Sequence, residues 1–324
     1  MNAQYRATLR SLLTATIVAS STALFGLHAA AQTAAPARTP AARPAKTPDG
    51  QPNITGMWQP DPSNRPMEVP AGTPWKPPAG FDPGTNSAYT FFAPEDGKTP
   101  PPPRDRRPMI IDPPDGRIPM RPEAMAKRET IVAGQEKAEL LDPRVRCLQA
   151  GLPRANLPVF YNSYQILQTP GYVVILYEWN HMTRFIPLDG RPHISPKIRL
   201  PMGDSRGHWE GNTLVVDVTN FTDRTWPVGH GAPPEGAPAS AISTGHGVFQ
   251  SEALHVVERF TPKGDVIQYE ATIEDPNVYT RPWKIAFDAF HRAAPDHQLF
   301  EYACHEGNAR NVKLLTGVDI DQQQ

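Results

Sequence analysis

The stretch YQILQTPGYVVILYEW, residues 164–179, decides the fold class of this chain. It contains two runs rich in β-branched and aromatic residues, separated by Thr169-Pro170-Gly171, which is a turn signal. From Asn162 onward the pattern has a period of two, the spacing of side chains on one face of a strand. The stretch therefore predicts two antiparallel strands joined by a tight turn.

The same pattern continues toward the C-terminus. Asp189-Gly190 lies between two extended pieces, which predicts a hairpin, and Glu210-Gly211-Asn212 marks another turn. The later strand-like runs are EALHVVERF (252–260), DVIQYEATIED (265–275), RPWKIAFD (281–288) and HQLFEYACHE (297–306). About eight antiparallel strands with short turns favour a mainly β fold, a closed barrel with a β-sandwich as the alternative.

The N-terminal third has a different composition. Residues 1–31 combine a positive start, an apolar run and a small-residue cleavage pattern, which predicts a secretory signal peptide. Residues 32–50 carry little to bury and predict a disordered linker. Residues 51–121 hold nearly half of the chain's 39 prolines together with many aromatic groups, which predicts an ordered wrap without regular structure.

The rest of the chain divides into one helix and one large domain. Good helix formers behind Pro122 predict a helix over residues 122–141, although Gly134 lies inside it. Residues 142–324 are predicted to form the β-domain. The two cysteines, Cys147 and Cys304, are most simply paired as a disulfide in the oxidising compartment that a signal peptide implies.

Charge and motif content narrow the classes of partner. The formal net charge is −1 and no dense basic run occurs, which argues against a nucleic-acid partner. No metal-ligand spacing or nucleotide loop is present, so neither a metal nor a cofactor is predicted. We expect a protein of the periplasm of a Gram-negative bacterium, or a secreted one, without a membrane span after signal cleavage. Oligomeric state is not encoded in these patterns.

Several stretches match a known pattern in combination. They are RCLQAGLPR, YQILQTPGYVVILYE, RFIPLDGRPH, GDSRGHWEGNTLVVDVTNF, SEALHVVERF, TIEDPNVYTRPW and EYACHEGN, within residues 146–308. In these stretches the chain resembles a widespread group of secreted bacterial proteins of unestablished function. The resemblance implies a shared fold and export, and it assigns no catalytic residue. Gly56-Met57-Trp58 also looks like the Gly-x-Trp that opens the first strand of lipocalin-type barrels.

Glu258 is the first candidate for chemistry. In LHVVERF, strand alternation places Leu254, Val256, Glu258 and Phe260 on one face, so a carboxylate lies among apolar groups. Because a carboxylate is costly to desolvate there, enzymes use such positions for general acids and bases. The structural alternative is an ion pair with an arginine such as Arg184 or Arg199.

The remaining candidates are proton partners and ligand contacts. Histidine changes charge near neutral pH, which makes it a natural proton shuttle. The predicted catalytic set comprises Glu258, His181, His193 and His305, and the predicted ligand-binding set comprises Arg184, Tyr177, Trp283 and Glu270. We therefore expect a metal-independent acid–base enzyme, a lyase, hydratase, isomerase or hydrolase, acting on a small, partly hydrophobic molecule in a barrel cavity. A non-catalytic carrier of an apolar molecule and an envelope-associated interaction protein are the alternatives.

Overall fold

The structure, a computed structural model, describes seven parts of the chain: residues 45–60, 67, 109–134, 137–157, 163–229, 247–304 and 313. The chain divides into two compact units, Met1–Arg43 and Pro44–Gln324. The predicted signal peptide and most of the predicted linker lie outside the described residues. All that follows concerns the second unit.

Ten antiparallel strands dominate the described part of the chain. They are β1 (Gly56–Pro60), β2 (Ile110–Asp112), β3 (Tyr164–Thr169), β4 (Tyr172–Tyr177), β5 (Thr183–Pro187), β6 (Asp204–Glu210), β7 (Thr213–Thr219), β8 (His255–Lys263), β9 (Val266–Glu274) and β10 (Trp283–Arg292). Their order is β5-β4-β3-β1-β10-β9-β8-β7-β6, with β2 added beside β10. The two end strands, β5 and β6, come into contact, so the sheet is a nearly closed barrel. The predicted mainly β, lipocalin-like barrel is confirmed.

Two of the predicted turns join neighbouring strands. Pro170-Gly171 connects β3 to β4, and Gly171 has φ +80°, a conformation that only glycine adopts without strain. Glu210-Gly211-Asn212 connects β6 to β7 in the same way, with Gly211 at φ +59°. The turn chemistry read from the sequence thus sets the register of both hairpins.

The predicted hairpin at Asp189-Gly190 is wrong. After β5 the chain runs without regular structure through residues 188–203, and β6 then pairs with β7 instead of β5. Pro192, Pro196 and Pro201 interrupt this segment, and proline removes the N–H that a ladder requires. The consequence is a barrel whose strands β5 and β6 are not hydrogen-bonded to each other within the described sheet.

The segment predicted as a wrap without regular structure contributes two strands to the sheet, β1 and β2, while its residues 61–66 and 68–108 lie outside the described residues. β1 lies between β3 and β10. Trp58 is fully buried, and its indole N–H donates to the carbonyl oxygen of Ile54 at 3.0 Å. The guanidinium of Arg292 lies over the indole ring, 4.2 Å from its centre. The Gly-x-Trp pattern therefore marks a strand that the barrel core requires.

One α-helix, α1 (Pro122–Ala133), is shorter than predicted. It ends at Gly134, whose N–H still donates to the carbonyl groups of Thr130 and Ile131. A side chain at Gly134 would lie 2.4 Å from Cδ1 of Leu140, so the chain turns back closely against the helix end. The predicted continuation to residue 141 is replaced by a separate 3-10 turn, Ala138–Leu140.

The predicted disulfide between Cys147 and Cys304 is confirmed. The predicted strand that would carry Cys304 is not, because residues 293–304 have no strand pairing. β10 is already paired with β1 and β9, so the chain that follows finds no free edge beside it. Phe300 is 67% exposed, whereas Tyr302 packs on Trp179 with ring centres 5.2 Å apart.

No helix in the described part of the chain is both long and apolar enough to cross a membrane.

Replacing both cysteines by serine should lower the free energy of unfolding by about 2–5 kcal/mol, because the cross-link closes a long loop. The two residues are 157 positions apart in sequence. Urea unfolding followed by circular dichroism measures the change. Wild-type protein unfolded in a reducing buffer should match the C147S/C304S variant, and an unchanged midpoint in the variant would contradict the expectation.

Candidate functional site

Glu258 lies in the middle of β8 with its side chain pointing into the barrel. None of its surface is exposed. Along β8 buried residues alternate with partly exposed ones, and Glu258 belongs to the buried series with Val256 and Phe260. Its neighbours across the sheet are Val216 on β7 and Ala271 on β9. The predicted apolar face is therefore confirmed.

Arg184 on β5 pairs with Glu258 across the barrel interior. Its Nη1 donates to Oε1 at 3.2 Å, and its Nη2 donates to Oε2. Burial lowers the pKa of Arg184, but the charge of Glu258, the hydrogen bond to it and the two neighbouring tyrosines together raise that pKa overall. Arg199, the other predicted partner, instead lies near Glu252, with a nitrogen–oxygen distance of 3.4 Å. The structural alternative considered for Glu258 is thus present, with Arg184.

Three further side chains complete the hydrogen bonding of the pair. Oε1 of Glu258 accepts from Nδ2 of Asn156 at 2.8 Å and from the hydroxyl of Tyr269 at 2.7 Å. The hydroxyl of Tyr177 donates to Oδ1 of Asn156 at 3.0 Å. On the other side, Nε of Arg184 donates to Oγ of Ser205 at 3.0 Å. All of these groups are buried. We call this set the interior polar cluster: Asn156, Tyr177, Arg184, Ser205, Glu258 and Tyr269.

Asn156 differs from the other members because it does not belong to a strand. It ends the 3-10 turn Arg154–Asn156. Arg154 is itself fully buried and bonds both carboxylate oxygens of Asp142, while its Nε donates to the carbonyl oxygen of Gly229 at 3.0 Å. A second buried ion pair therefore holds the turn that brings Asn156 to Glu258.

The two tyrosines of the cluster are held in the neutral form. Burial raises the pKa of Tyr177 to about 12. Burial and the neighbouring charge of Glu258 raise the pKa of Tyr269 well above its usual value. Both hydroxyl groups therefore remain hydrogen-bond donors at neutral pH. A carboxylate bonded to a neutral phenol is an arrangement that can accept one proton and supply another.

Aromatic rings surround the polar cluster. Phe260 lies against Tyr269 and Phe290, with ring centres 5.1 Å and 6.0 Å apart. Tyr164 contacts Phe290 edge to face at 4.4 Å and Tyr177 at 5.4 Å. The interior thus combines an apolar lining with one charged pair.

The predicted histidine partners lie elsewhere. His181 is exposed in a 3-10 turn before β5, and His193 contacts the outer face of the sheet, while His305 lies outside the described residues. Among the described residues, no histidine bonds to Glu258; its donors are Arg184, Asn156 and Tyr269. Besides Arg184, the titratable neighbour that donates to Glu258 within the described part of the chain is the hydroxyl group of Tyr269.

The other predicted ligand contacts divide between the two faces. Tyr177 and Arg184 belong to the interior polar cluster. Trp283 is fully buried and packs edge to face on Tyr279, and its indole N–H has no partner among the described residues. Glu270 lies on the outer face of β9, where Lys284 approaches it at 3.4 Å. Glu270 therefore does not reach the cluster.

Three members of the cluster, Asn156, Ser205 and Tyr269, were not predicted from the sequence. Tyr269 could have been predicted, because it lies on the same buried face of β9 as Ile267, Ala271 and Ile273. Ala271, two residues from Tyr269, is the cross-strand neighbour of Glu258. Asn156 could not have been predicted, because nothing in the local sequence says that a turn distant from β8 enters the barrel.

A second group of charged residues lies outside the barrel. His193 contacts Asp204 through Nδ1 at 2.8 Å and Asp217 through Nε2 at 2.7 Å. Nε2 of His255 lies 2.7 Å from the other oxygen of Asp217. Partial burial raises the pKa of Asp217, but the two imidazole hydrogen bonds outweigh it and the pKa is lowered. We call this group the outer histidine cluster: His193, Asp204, Asp217 and His255.

Neither metal-binding geometry nor comparison with known proteins assigns a function to these two clusters. Within the part of the chain that the structure describes, no group of three or more His, Cys, Asp or Glu side chains is arranged to hold a metal ion. No protein-family model matches the chain, and no curated protein is significantly similar to it.

Removing one partner of the buried ion pair should destabilise the protein strongly, because the other charge is left without compensation. We expect E258L to cost about 3–5 kcal/mol, and the R184M/E258L double variant to recover at least half of that loss. Urea unfolding of the two single variants and the double variant gives the coupling energy. R259M, on the same strand but paired with Glu210 at the surface, is the matched control and should change stability little. If the losses of stability in the two single variants simply add up in the double variant, direct pairing is contradicted.

The tyrosines predict how stability depends on alkaline pH. A folded pKa above the unfolded value of about 10 stabilises the protein below that pH, and this stabilisation is lost as pH rises toward the folded pKa. For Tyr177 the folded value is about 12. Y177F/Y269F should therefore lose less stability than wild type between about pH 9 and pH 12. Urea unfolding across this range tests the slope, with Y172F as the control; equal slopes in all three proteins would contradict it.

Proposed function

We propose that the protein is an acid–base enzyme of the periplasm, or a secreted one, that binds a small, partly hydrophobic molecule in the barrel beside Glu258. One observation carries the proposal: two strands, β5 and β9, and a separate turn direct Arg184, Tyr269 and Asn156 at a single buried carboxylate. Apolar side chains of similar volume at such a position often give equal or greater stability. A role beyond stability accounts for a charged pair here.

The resulting roles differ from those predicted by the sequence. Glu258 is the general base, and the hydroxyl of Tyr269 takes the place of the expected histidines as proton donor. Their oxygens are 2.7 Å apart, so the proton that Glu258 accepts can return to the phenolate along the same hydrogen bond. Arg184, which donates to both oxygens of Glu258, places a fixed positive charge beside the site and stabilises negative charge on a substrate oxygen. Isomerisation by proton transfer fits this pair best, with hydration, elimination and hydrolysis as related reactions.

Access for a substrate requires one protein donor to withdraw from Glu258. Arg184 and Tyr269 carry the proposed charge-stabilising and proton-transfer roles, whereas Asn156 carries neither. Its side chain can rotate while the second buried ion pair holds the turn. Asn156 is therefore the donor that a substrate can replace most easily. Its partner Tyr177 would then hold the displaced amide or bond to the substrate.

A carrier is the second candidate, because the interior is lined by aromatic rings around the charged pair. An apolar molecule with one oxygen function would satisfy both parts of this lining. The carrier and the enzyme share the site and differ only in turnover. The disulfide and the predicted export segment agree with either role in an oxidising compartment.

The test is to recover the exported protein from culture and compare the small molecules that co-purify with wild type, R184M/E258L and R259M. Organic extraction and mass spectrometry provide the readout. We expect a molecule with wild type and R259M that is absent from the folded double variant. Identical extracts from all three proteins would contradict ligand binding at the interior site.

Once the molecule is known, turnover separates the two candidates. E258Q and Y269F should each lower kcat by about 10²–10⁴-fold, the usual contribution of a general acid or base. KM should change much less for Y269F, because the ring remains in place. Retention of the molecule by wild type without any turnover would assign the carrier role.

A further inference from the structure

The two edge strands, β5 and β6, define a seam in the barrel wall. Along the strand order, β5 pairs only with β4, and β6 pairs only with β7. Every other strand on that path has hydrogen-bonded partners on both sides. Separating β5 from β6 therefore breaks side-chain contacts and no ladder of backbone hydrogen bonds in the described sheet. The seam is the place where this barrel opens at least cost.

The interior polar cluster reaches this seam directly. Arg184 on β5 donates through Nε to Ser205 on β6 at 3.0 Å, and both side chains are buried. Beside this bond, Gly207 allows close packing, because a Cβ there would lie 2.6 Å from Cγ2 of Ile186 and 2.8 Å from Cδ2 of Leu188. One hydrogen bond and a small apolar contact thus separate Glu258's partner from the outside of the barrel.

The connection formed by residues 188–203 joins the two edge strands and is fastened by His193. The ring of His193 lies between two carboxylates, Asp204 at the start of β6 and Asp217 on β7. Since an ionised carboxylate only accepts hydrogen bonds, both ring nitrogens have to donate, which only the imidazolium form can do. Two neighbouring bonds support the same contact: the backbone N–H of Ile194 donates to Asp204 at 3.1 Å, and Arg206 donates to the carbonyl oxygen of Pro192 at 2.9 Å.

Further charged groups lie around His193. Asp204 also accepts from Nη1 of Arg206 at 2.8 Å, and Asp217 also bonds His255. Nδ1 of His255 lies 3.8 Å from Glu274 on β9. Loss of the proton on His193 removes one positive charge and turns one hydrogen bond into a contact between a nitrogen lone pair and a carboxylate.

The far half of the connection has its own anchor. Nδ2 of Asn220 donates to the carbonyl oxygens of Ser195 at 2.8 Å and Ile198 at 3.1 Å. Release of His193 would therefore leave the half that follows β5 attached to β6 mainly through the bond from Arg206 to Pro192, while the half that precedes β6 stays attached to Asn220. Such a division lets β5 move relative to a fixed β6.

We propose that the seam between β5 and β6 is the entrance to the interior site, and that protonated His193 keeps it closed. This inference rests on the proposed function, because it describes access to the same site. Rising pH opens the entrance, since imidazole ordinarily changes charge between about pH 5 and pH 8 in proteins. Toward acid pH the contact persists until Asp217 is protonated, and the pKa of Asp217 is lowered.

The first test follows hydrogen exchange in peptides that cover residues 183–203, read by mass spectrometry at about pH 6 and about pH 8. After correction for the intrinsic pH dependence of exchange, wild type should exchange at least about threefold faster at the higher pH. H193Q should exchange fast at both values. H208Q is the matched control, because His208 lies on β6 and contacts only Glu210, at the surface. Equal protection in H193Q and wild type would overturn the proposal.

The second test measures entry with a defined probe, anilinonaphthalene sulfonate, which combines apolar rings with one anionic group. Stopped-flow fluorescence should show faster uptake by H193Q, and by G207A, whose new methyl group forces the seam contacts apart. Comparison of probe uptake by R184M/E258L and by wild type shows whether the probe binds at the interior site. If the probe binds wild type but uptake does not respond to His193, the entrance is wrong while the proposed function stands. If exchange responds but no probe binds inside, the seam opens without being an entrance, which also overturns the proposal.

Discussion

The ion pair between Arg184 and Glu258 is the constraint on which the rest of the interior depends. Two opposite charges inside an apolar barrel lose their hydration, and their mutual attraction compensates only when geometry is good and the remaining donors are matched. The structure meets this condition with groups from distant parts of the chain: Asn156 and Tyr269 donate to Glu258, and Arg184 donates to Ser205. The positions of β5, β6, β8 and β9 are thereby tied to a single pair of charges.

Support for this pair extends beyond the strands. Asn156 can reach Glu258 only because its turn is fixed, and a second buried pair, Arg154 with Asp142, fixes it. The disulfide attaches the same region to the C-terminal segment at Cys147. The disulfide and the Arg154–Asp142 pair restrict the turn, and the turn restricts Asn156 beside Glu258, as preorganised sites require. The irregular segment after the helix, which looks like a simple linker, is therefore part of the site.

The sequence predicted the barrel and the burial of Glu258 because both follow from local alternation of apolar and polar residues. The turn at Pro170-Gly171 could likewise be predicted from the sequence. The hairpin at Asp189-Gly190 failed because the prolines that follow prevent pairing, so a local turn signal had no strand to return to. The role of Asn156 could not be predicted for another reason: it comes from a contact between residues 102 positions apart. Alternation identifies the face on which a residue lies, and it does not identify what meets that face.

The division of titratable groups between the two faces of the sheet explains why His193 does not reach Glu258. Strand alternation that turns Glu258 inward turns its neighbour His255 outward, and Asp217 faces outward with it. Phenols suit the interior because burial keeps them neutral, and imidazoles suit the surface because they can exchange protons with water. Tyr269 and His193 thus lie on opposite sides of one wall. The proposed chemistry at the interior and the proposed opening of the seam therefore use separate groups, which Arg184 and Ser205 join at the seam.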